Sequence, residues 1–357
     1  MEFLFPEGQH FECVEGCARC CTAGWQVVVE PPVQAVVRKS YLALEVLQET
    51  HRPAMRVERD QTVLANRNDR CVMLDQDLLC RLHSRFGVHA KPRPCRGFPF
   101  ILQPTPDGVV AGLSFYCPAV QRNQGRPVSE FAPELEELVT GSTPLTLGPV
   151  KVWNETALNW PEYRELEKWL QEQPDLSQAL ATALLALGDW SVGSVPWREA
   201  LARDLRPPER DLVGWLRWSV AAGLISVLEW SDHPDFWTNF GRLTEGSEVV
   251  IPSLGMSFSR GQAGSPPAEP LERFMRHLVH RKALLDGENL MAGLLMLLGL
   301  PEVLAFYSSA RDDFWWAVER VEYHLVGHSQ RGNAFCRSFV DSMLAGWQSL
   351  HPLARAS

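Results

Sequence analysis

The sequence predicts an α+β chain: a small cysteine-rich N-terminal domain of short strands and helices, followed by a mainly α-helical domain. Three observations carry this prediction. Eight of the nine cysteines lie within the first 117 residues, and only Cys336 follows. Short β-branched runs broken by Pro and Gly dominate that first part. Beyond about residue 150 the apolar side chains recur at helical spacing, and twelve of the thirteen tryptophans lie there. The expected boundaries are a cysteine-cluster metal-binding domain at 1–125, a linker at 126–150 and a helical domain at 151–357.

Each element follows from local chemistry. Residues 25–30 (Trp-Gln-Val-Val-Val-Glu) are β-branched and read as a strand leaving the first cysteines. Pro31 and Pro32 end it, and Pro32 suits the first turn of a helix over 33–49. Two short strands, 62–65 and 71–74, flank a polar turn at 66–70. A short helix over 78–86 stops at Gly87, and Pro92, Pro94 and Pro99 force an irregular path around Cys95. A last strand, 109–115, leads into Cys117. Stretches 163–173, 176–187, 211–229, 271–286 and 313–325 read as helices, and 252–270, rich in Pro, Gly and Ser, as a mobile loop. The longest apolar run, 290–300, is bracketed by Glu288 and Pro301; it is too short to span a bilayer and reads as a buried helix. The repeated tryptophans, Trp215 and Trp218 among them, read as core.

Composition narrows the function. A hydrophobic content of 45% over 357 residues supports a large core without help from a metal. The net charge of −9 argues against a general nucleic-acid binder, and no membrane span is expected. The first residues, Met-Glu-Phe-Leu-Phe-Pro-Glu-Gly, show no basic start, apolar core or small-residue cleavage site, so a cytoplasmic chain with reduced thiols is expected. Reduced thiols at this density favour metal ligation over disulfides.

Four cysteines, Cys13, Cys17, Cys20 and Cys21, occupy nine positions; Cys71, Cys80, Cys95 and Cys117 follow. The first three can present three thiolates to one zinc ion or one face of an iron–sulfur cube. Adjacent side chains of an extended segment point to opposite sides, so Cys20 and Cys21 would not both serve one centre. All eight are candidate ligands, divisible into two sets of four or into one set plus packing thiols. Arg67, Arg70, Arg81, Arg85, Lys91, Arg93 and Arg96 crowd the later cysteines and would lower their pKa.

At this point the chain resembles a known group. Cys13 to Cys21, then Cys71-Val-Met-Leu-Asp-Gln-Asp-Leu-Leu-Cys80-Arg-Leu-His, then Lys91-Pro-Arg-Pro-Cys95-Arg-Gly-Phe-Pro99, are similar to the YkgJ-type cysteine-cluster family, a zinc- or iron-chelating CxxCxxCC domain. The likeness covers residues 11 to about 118 and departs in one respect: three residues, not two, separate Cys13 from Cys17. Gly24-Trp25 after the paired cysteines, with a long helical C-terminal part, resembles the flagellin lysine N-methylase branch. That resemblance implies a 4Fe-4S cluster and methyl transfer from S-adenosylmethionine to lysines of a protein such as flagellin. Residues 150–357 carry no motif for methyl transfer. The alternative is a non-enzymatic zinc- or iron-binding module whose helical half binds a partner protein.

The x3, x2 spacing of Cys13, Cys17 and Cys20 also coincides with the radical S-adenosylmethionine motif. Against it, Arg19 stands where an aromatic residue is usual, and no strand–helix barrel series follows. Eight thiols can close two four-ligand sites, so a closed centre is expected, with Cys95 or Cys117 completing the first set. His83, His89 and the pair His324 and His328 read as surface histidines rather than ligands. No GxGxxG, P-loop or GxSxG occurs.

Overall fold

The computed structural model describes residues 2–139, 148–203, 207–326 and 331–350. These divide into two units: residues 3–102 with 113–139, and residue 2 with 103–112 and everything described from 148 onward. The architecture is the α+β arrangement expected, with short strands in the N-terminal part and mainly helices after it.

The first unit is built on two helices and two small hairpins. The expected helix 33–49 is broken into Pro31–Lys39 and Leu42–Thr50, because Ser40 is extended (φ −97, ψ 158) after its N–H closes the first helix on Val36. Val33, Val37, Leu42 and Val46 face inward, against Leu64, Val72, Met73 and Leu82. A hairpin pairs Met55–Glu58 with Gln61–Leu64, and its two-residue turn, Arg59-Asp60, is left-handed at both positions (φ 45 and 64). Such a turn matches the twist of the strands it joins. The first of these strands, Met-Arg-Val-Glu, escaped the sequence reading because charges occupy half of it.

A second hairpin, Asn66–Arg67 with Arg70–Cys71, turns at Asn68 and Asp69, where the polar turn was expected. Expected strand 25–30 is mostly irregular: it bridges at Val28 to Val63, with Leu64 N–H donating to Val27 and Val29 N–H donating to Thr62. Of expected strand 71–74 only Cys71 is in a strand; Val72 and Met73 are buried in the turn that follows, and Leu74 is buried at a single bridge to Cys80. Helix Arg81–Phe86 ends at Gly87 (φ 83) as expected, but begins later than residue 78 because Leu78 is left-handed (φ 61). Within expected linker 126–150, residues 140–147 lie outside the described residues and Ala132–Val139 is a helix.

In the second unit, helix Leu290–Arg311 is the core. Asn289 caps it, accepting the Ala292 N–H at 2.8 Å. It does not stop at Pro301. Pro301 removes one backbone donor, but the helix continues to Arg311 because its flanks are already packed, and Val303, Leu304, Phe306 and Tyr307 are all buried. By length and composition this helix, and the stretch Asp211–Trp230, could cross a bilayer; 89% of the most apolar 18 residues of the first is instead buried within the protein. Helices Pro207–Trp230, Leu176–Ser191, Phe314–Val321 and Arg331–Leu350 pack around it.

Two other expected helices were near their places but not their ends. Expected helix 271–286 is Ala268–His280 followed by a short 3-10 turn, with Lys282 left-handed between them. Expected helix 313–325 is Phe314–Val321 followed by a π-helical turn, Glu322–Val326. Residues 252–270 contain a hairpin strand, Met256–Phe258, paired with Val249–Ile251. Trp218 is buried as expected, but Trp215 is 55% exposed.

Buried charge concentrates in this unit. Arg281 meets Glu322 at 2.6 Å, Lys282 meets Glu167 at 2.5 Å, and Arg320 meets Glu229 at 2.6 Å. Each pair is largely out of water, so each charge relies on its partner for the compensation that solvent would otherwise give.

Candidate metal centre

The loop bearing the first four cysteines follows strand His10–Phe11, which pairs with Arg126–Pro127. Gly16 (φ 69) and Ala18 (φ 48) turn it back on itself. Arg19–Cys21 is a 3-10 turn, held by Thr22, whose hydroxyl donates to the Ala18 and Arg19 carbonyls. Cys20 and Cys21 are therefore not in an extended segment. In a 3-10 turn successive side chains are rotated by about 120° rather than opposed, and the two sulfurs stand 4.0 Å apart. The expectation that their geometry separates them is corrected.

Gly24 fastens this loop beside the second hairpin. Its N–H donates to the Asp69 carbonyl at 2.8 Å. A Cβ there would lie 2.7 Å from the Asp69 carboxylate, on a backbone with φ 71, so only glycine fits without displacing Asp69. That attachment carries Cys21 toward Cys71. Cys80 is brought in by a tight loop in which Asp75 accepts the Asp77 and Leu79 N–H groups, at 3.0 and 2.8 Å. Cys80 then bridges to Leu74 and precedes helix Arg81–Phe86. Cys71 and Cys80 pack against the apolar core below. Cys95 sits in helix Arg93–Gly97, positioned by the Arg93 N–H bonded to Glu30 at 2.8 Å. Cys117 precedes helix Pro118–Arg122. Trp25, packed on Phe98 and Tyr116 at ring distances of 4.8 and 5.2 Å, fills the space between these segments.

The thiols fall into two neighbourhoods, judged by which charges act on which. Cys21 feels Cys20, Cys71 and Cys80; Cys95 feels Cys71, Cys80 and Cys20. Cys117 feels Cys17 and Cys13, and Cys13 also feels Cys20. Cys20 thus touches both groups, and Cys336, buried in the helical unit, belongs to neither. All nine cysteines are free thiols. Among the described residues, no three Cys, His, Asp or Glu side chains are drawn together tightly enough to grip a metal ion as they stand.

Protonation follows from burial more than from cations. Burial pushes Cys71 and Cys117 up to about 11 and Cys95 up to about 12, and raises Cys13. The hydrogen bond from Cys21 brings Cys20 down to about 7 against its own burial, with Lys91 assisting; the same bond, with burial, raises Cys21. Three of the arginines expected to lower these thiols are otherwise engaged. Arg81 pairs with Glu49, Arg85 with Glu45, and Arg70 donates to the Asp75 carbonyl. Lys91 is the cation that reaches Cys13, Cys20 and Cys95.

The histidines stay outside. His83 is exposed, and His89 is exposed and lies 3.5 Å from Glu137. His324 is exposed against the Tyr323 ring, and His328 lies outside the described residues. Soft sulfur donors arriving from five segments, unbridged by disulfides, are the chemistry that zinc or iron takes. No curated protein and no solved structure matches the chain. Residues 12–120 match the model of the CxxCxxCC family, described as a "putative zinc- or iron-chelating domain".

Proposed function

We propose that the N-terminal unit holds two closed, cysteine-ligated metal centres of structural or electron-storing character. One observation carries the reading: the Gly24–Asp69, Leu74–Cys80 and Arg93–Glu30 contacts gather Cys21, Cys71, Cys80 and Cys95, spread over some 75 residues of chain, so that Cys71 and Cys80 act on both Cys21 and Cys95. Cys21, Cys71, Cys80 and Cys95 form one four-thiolate set; Cys13, Cys17, Cys20 and Cys117 form a second. When bound, such a centre supplies a cross-link between distant segments and, as an iron–sulfur cluster, a one-electron couple. The chain's own part is to keep the buried Cys71, Cys95 and Cys117 sulfurs protonated until metal displaces their protons, with Lys91 offsetting negative charge at Cys13, Cys20 and Cys95. The resemblance favours iron–sulfur over zinc, and a reducing, cytoplasmic setting keeps the thiols available.

Iron, sulfide and zinc content with the visible spectrum of anaerobically purified protein tests this directly. Two centres per chain are expected. Protein that binds no metal at full cysteine reduction would overturn the proposal.

The finer reading, methyl transfer from S-adenosylmethionine to a lysine of a protein such as flagellin, rests on the resemblance around Gly24 and Trp25. Its test is label transfer from S-adenosylmethionine to purified flagellin. With no transfer, the chain is read as a metal-binding module whose helical unit docks a partner.

A further inference from the structure

A groove of about 310 Å³ lies on the first unit, lined by Ala43 and Leu47 of helix Leu42–Thr50 and by Met55, Arg56 and Val57 of the first hairpin. Thr62, opposite Val57 on the paired strand, also lines it, so the groove lies over the hairpin face that carries Met55, Val57 and Thr62, against the helix. Met55–Glu58 has one partner strand among the described residues, Gln61–Leu64, which is itself backed on its far side by Val27 and Val29. Its outer edge is a template for another strand.

The surroundings are apolar and net cationic: the hairpin carries Glu58, which pairs with Arg56 at 2.7 Å, and Asp60, against the five basic side chains of Arg38, Lys39, Arg52, Arg56 and Arg59. Tyr41 is 83% exposed and Val57 73%, which is unusual for side chains of this size in a chain with a large core. Arg38 and Arg56 line the groove, and Lys39, Arg52 and Arg59 are exposed on the same segments. Among the described residues no carboxylate pairs with Arg38, Lys39, Arg52 or Arg59, whereas Glu45 and Glu49 are taken by Arg85 and Arg81.

We infer that this edge receives an extended segment of another protein, with apolar and acidic residues alternating, added as a strand to Met55–Glu58. Backbone hydrogen bonds supply affinity, the groove takes the apolar side chains, and the cationic rim selects acidic ones. A helix could not satisfy the strand's outer N–H and C=O groups. A second copy would set one cationic rim against another, which is repulsive. The inference stands on this surface alone and is independent of which metal the cysteines hold.

The test uses the full-length protein and two end-blocked peptides, one of three Glu-Val repeats and one of three Lys-Val repeats. Saturable binding of the acidic peptide is expected in calorimetry, with hydrogen-exchange protection appearing at Met55–Glu58. The basic peptide, and the double variant Arg38→Glu/Arg56→Glu with the acidic one, should each bind about tenfold more weakly or worse. Both substitutions are on exposed side chains, and an unchanged circular dichroism spectrum will verify that the fold survives. No binding of the acidic peptide, equal binding by the charge-reversed variant, or protection elsewhere would overturn the inference. So would a concentration-dependent dimer abolished by Val57→Lys, since the occupant would then be a second copy.

Discussion

Arg281→Met is the substitution whose cost the structure ranks highest. The Arg281 and Glu322 side chains are 2% and 0% exposed and meet at 2.6 Å, and the second Glu322 oxygen has no hydrogen-bond partner. Removing the cation strands a carboxylate in a medium that cannot solvate it, which costs about 3–5 kcal/mol. Lys282→Met should cost less, about 1–3 kcal/mol, because its partner Glu167 keeps Arg164 at 2.5 Å and the Tyr163 hydroxyl at 3.4 Å. Replacing both members, Arg281→Met/Glu322→Leu, should restore most of the stability, since no charge is then left unpaired.

The neighbouring Asp286 supplies a pH signature. Burial raises it to about 6, and Arg281 holds it lower than burial alone would. A carboxyl whose folded pKa lies above its unfolded value contributes stability below the unfolded pKa and loses it as pH rises through the folded one. Without Arg281 that folded pKa climbs further, so the variant's deficit should be smaller at pH 5 than at pH 8. Urea unfolding followed by tryptophan fluorescence reads this unit almost exclusively, since twelve of thirteen tryptophans lie beyond residue 150. A double variant as unstable as Arg281→Met, or Arg281→Met no worse than Lys282→Met, would refute the reasoning.

Other outcomes follow from the same structure. Cys71→Ser/Cys95→Ser should abolish one metal centre and expose the first unit to protease, while the helical far-UV signal persists; unchanged protease resistance and metal content would show those thiols to be packing only. Because Cys71, Cys95 and Cys117 hold their protons to about 11, 12 and 11, zinc uptake near pH 7.5 should release protons. Apparent affinity should then fall by more than about tenfold per unit as pH drops from roughly 8 to 6, which chelator competition across a pH series will measure. Gly293→Ala places a Cβ 2.4 Å from the Leu284 carbonyl oxygen, a backbone atom that cannot swing away. Overpacking of about 1–3 kcal/mol should outweigh a helix-propensity gain of at most about 1. Gly241→Ala, with nothing within 4 Å of its Cβ, should be stabilising by about 0.5–1 kcal/mol in the same unfolding assay.

The fold class was legible because it depends on local signals. Alternating β-branched runs broken by Pro and Gly can only make short strands, and periodic apolar stretches long enough for several turns can only be buried as helices. The cysteine inventory was legible for the same reason, but the irregular path expected around Cys95 was not found: the prolines there open a short helix, Arg93–Gly97. Ends were less so. Ser40 splits one expected helix in two, and Pro301 fails to end another, because packing against neighbours outweighs a single residue's preference.

Only the tertiary structure decided which thiols meet. Gly24 against Asp69, and Glu30 against Arg93, draw Cys21, Cys71 and Cys95 together over distances in the chain that no spacing rule covers. The basic residues near the cysteines looked like thiolate partners in one dimension, yet Glu45 and Glu49 claim two of them across the fold. Burial, which raises most of the thiols, and the buried pairs of Arg281, Lys282 and Arg320 were likewise invisible. A charged residue's sequence neighbours are the same whether it ends in water or in a core, and desolvation is set by what packs on it from elsewhere in the chain.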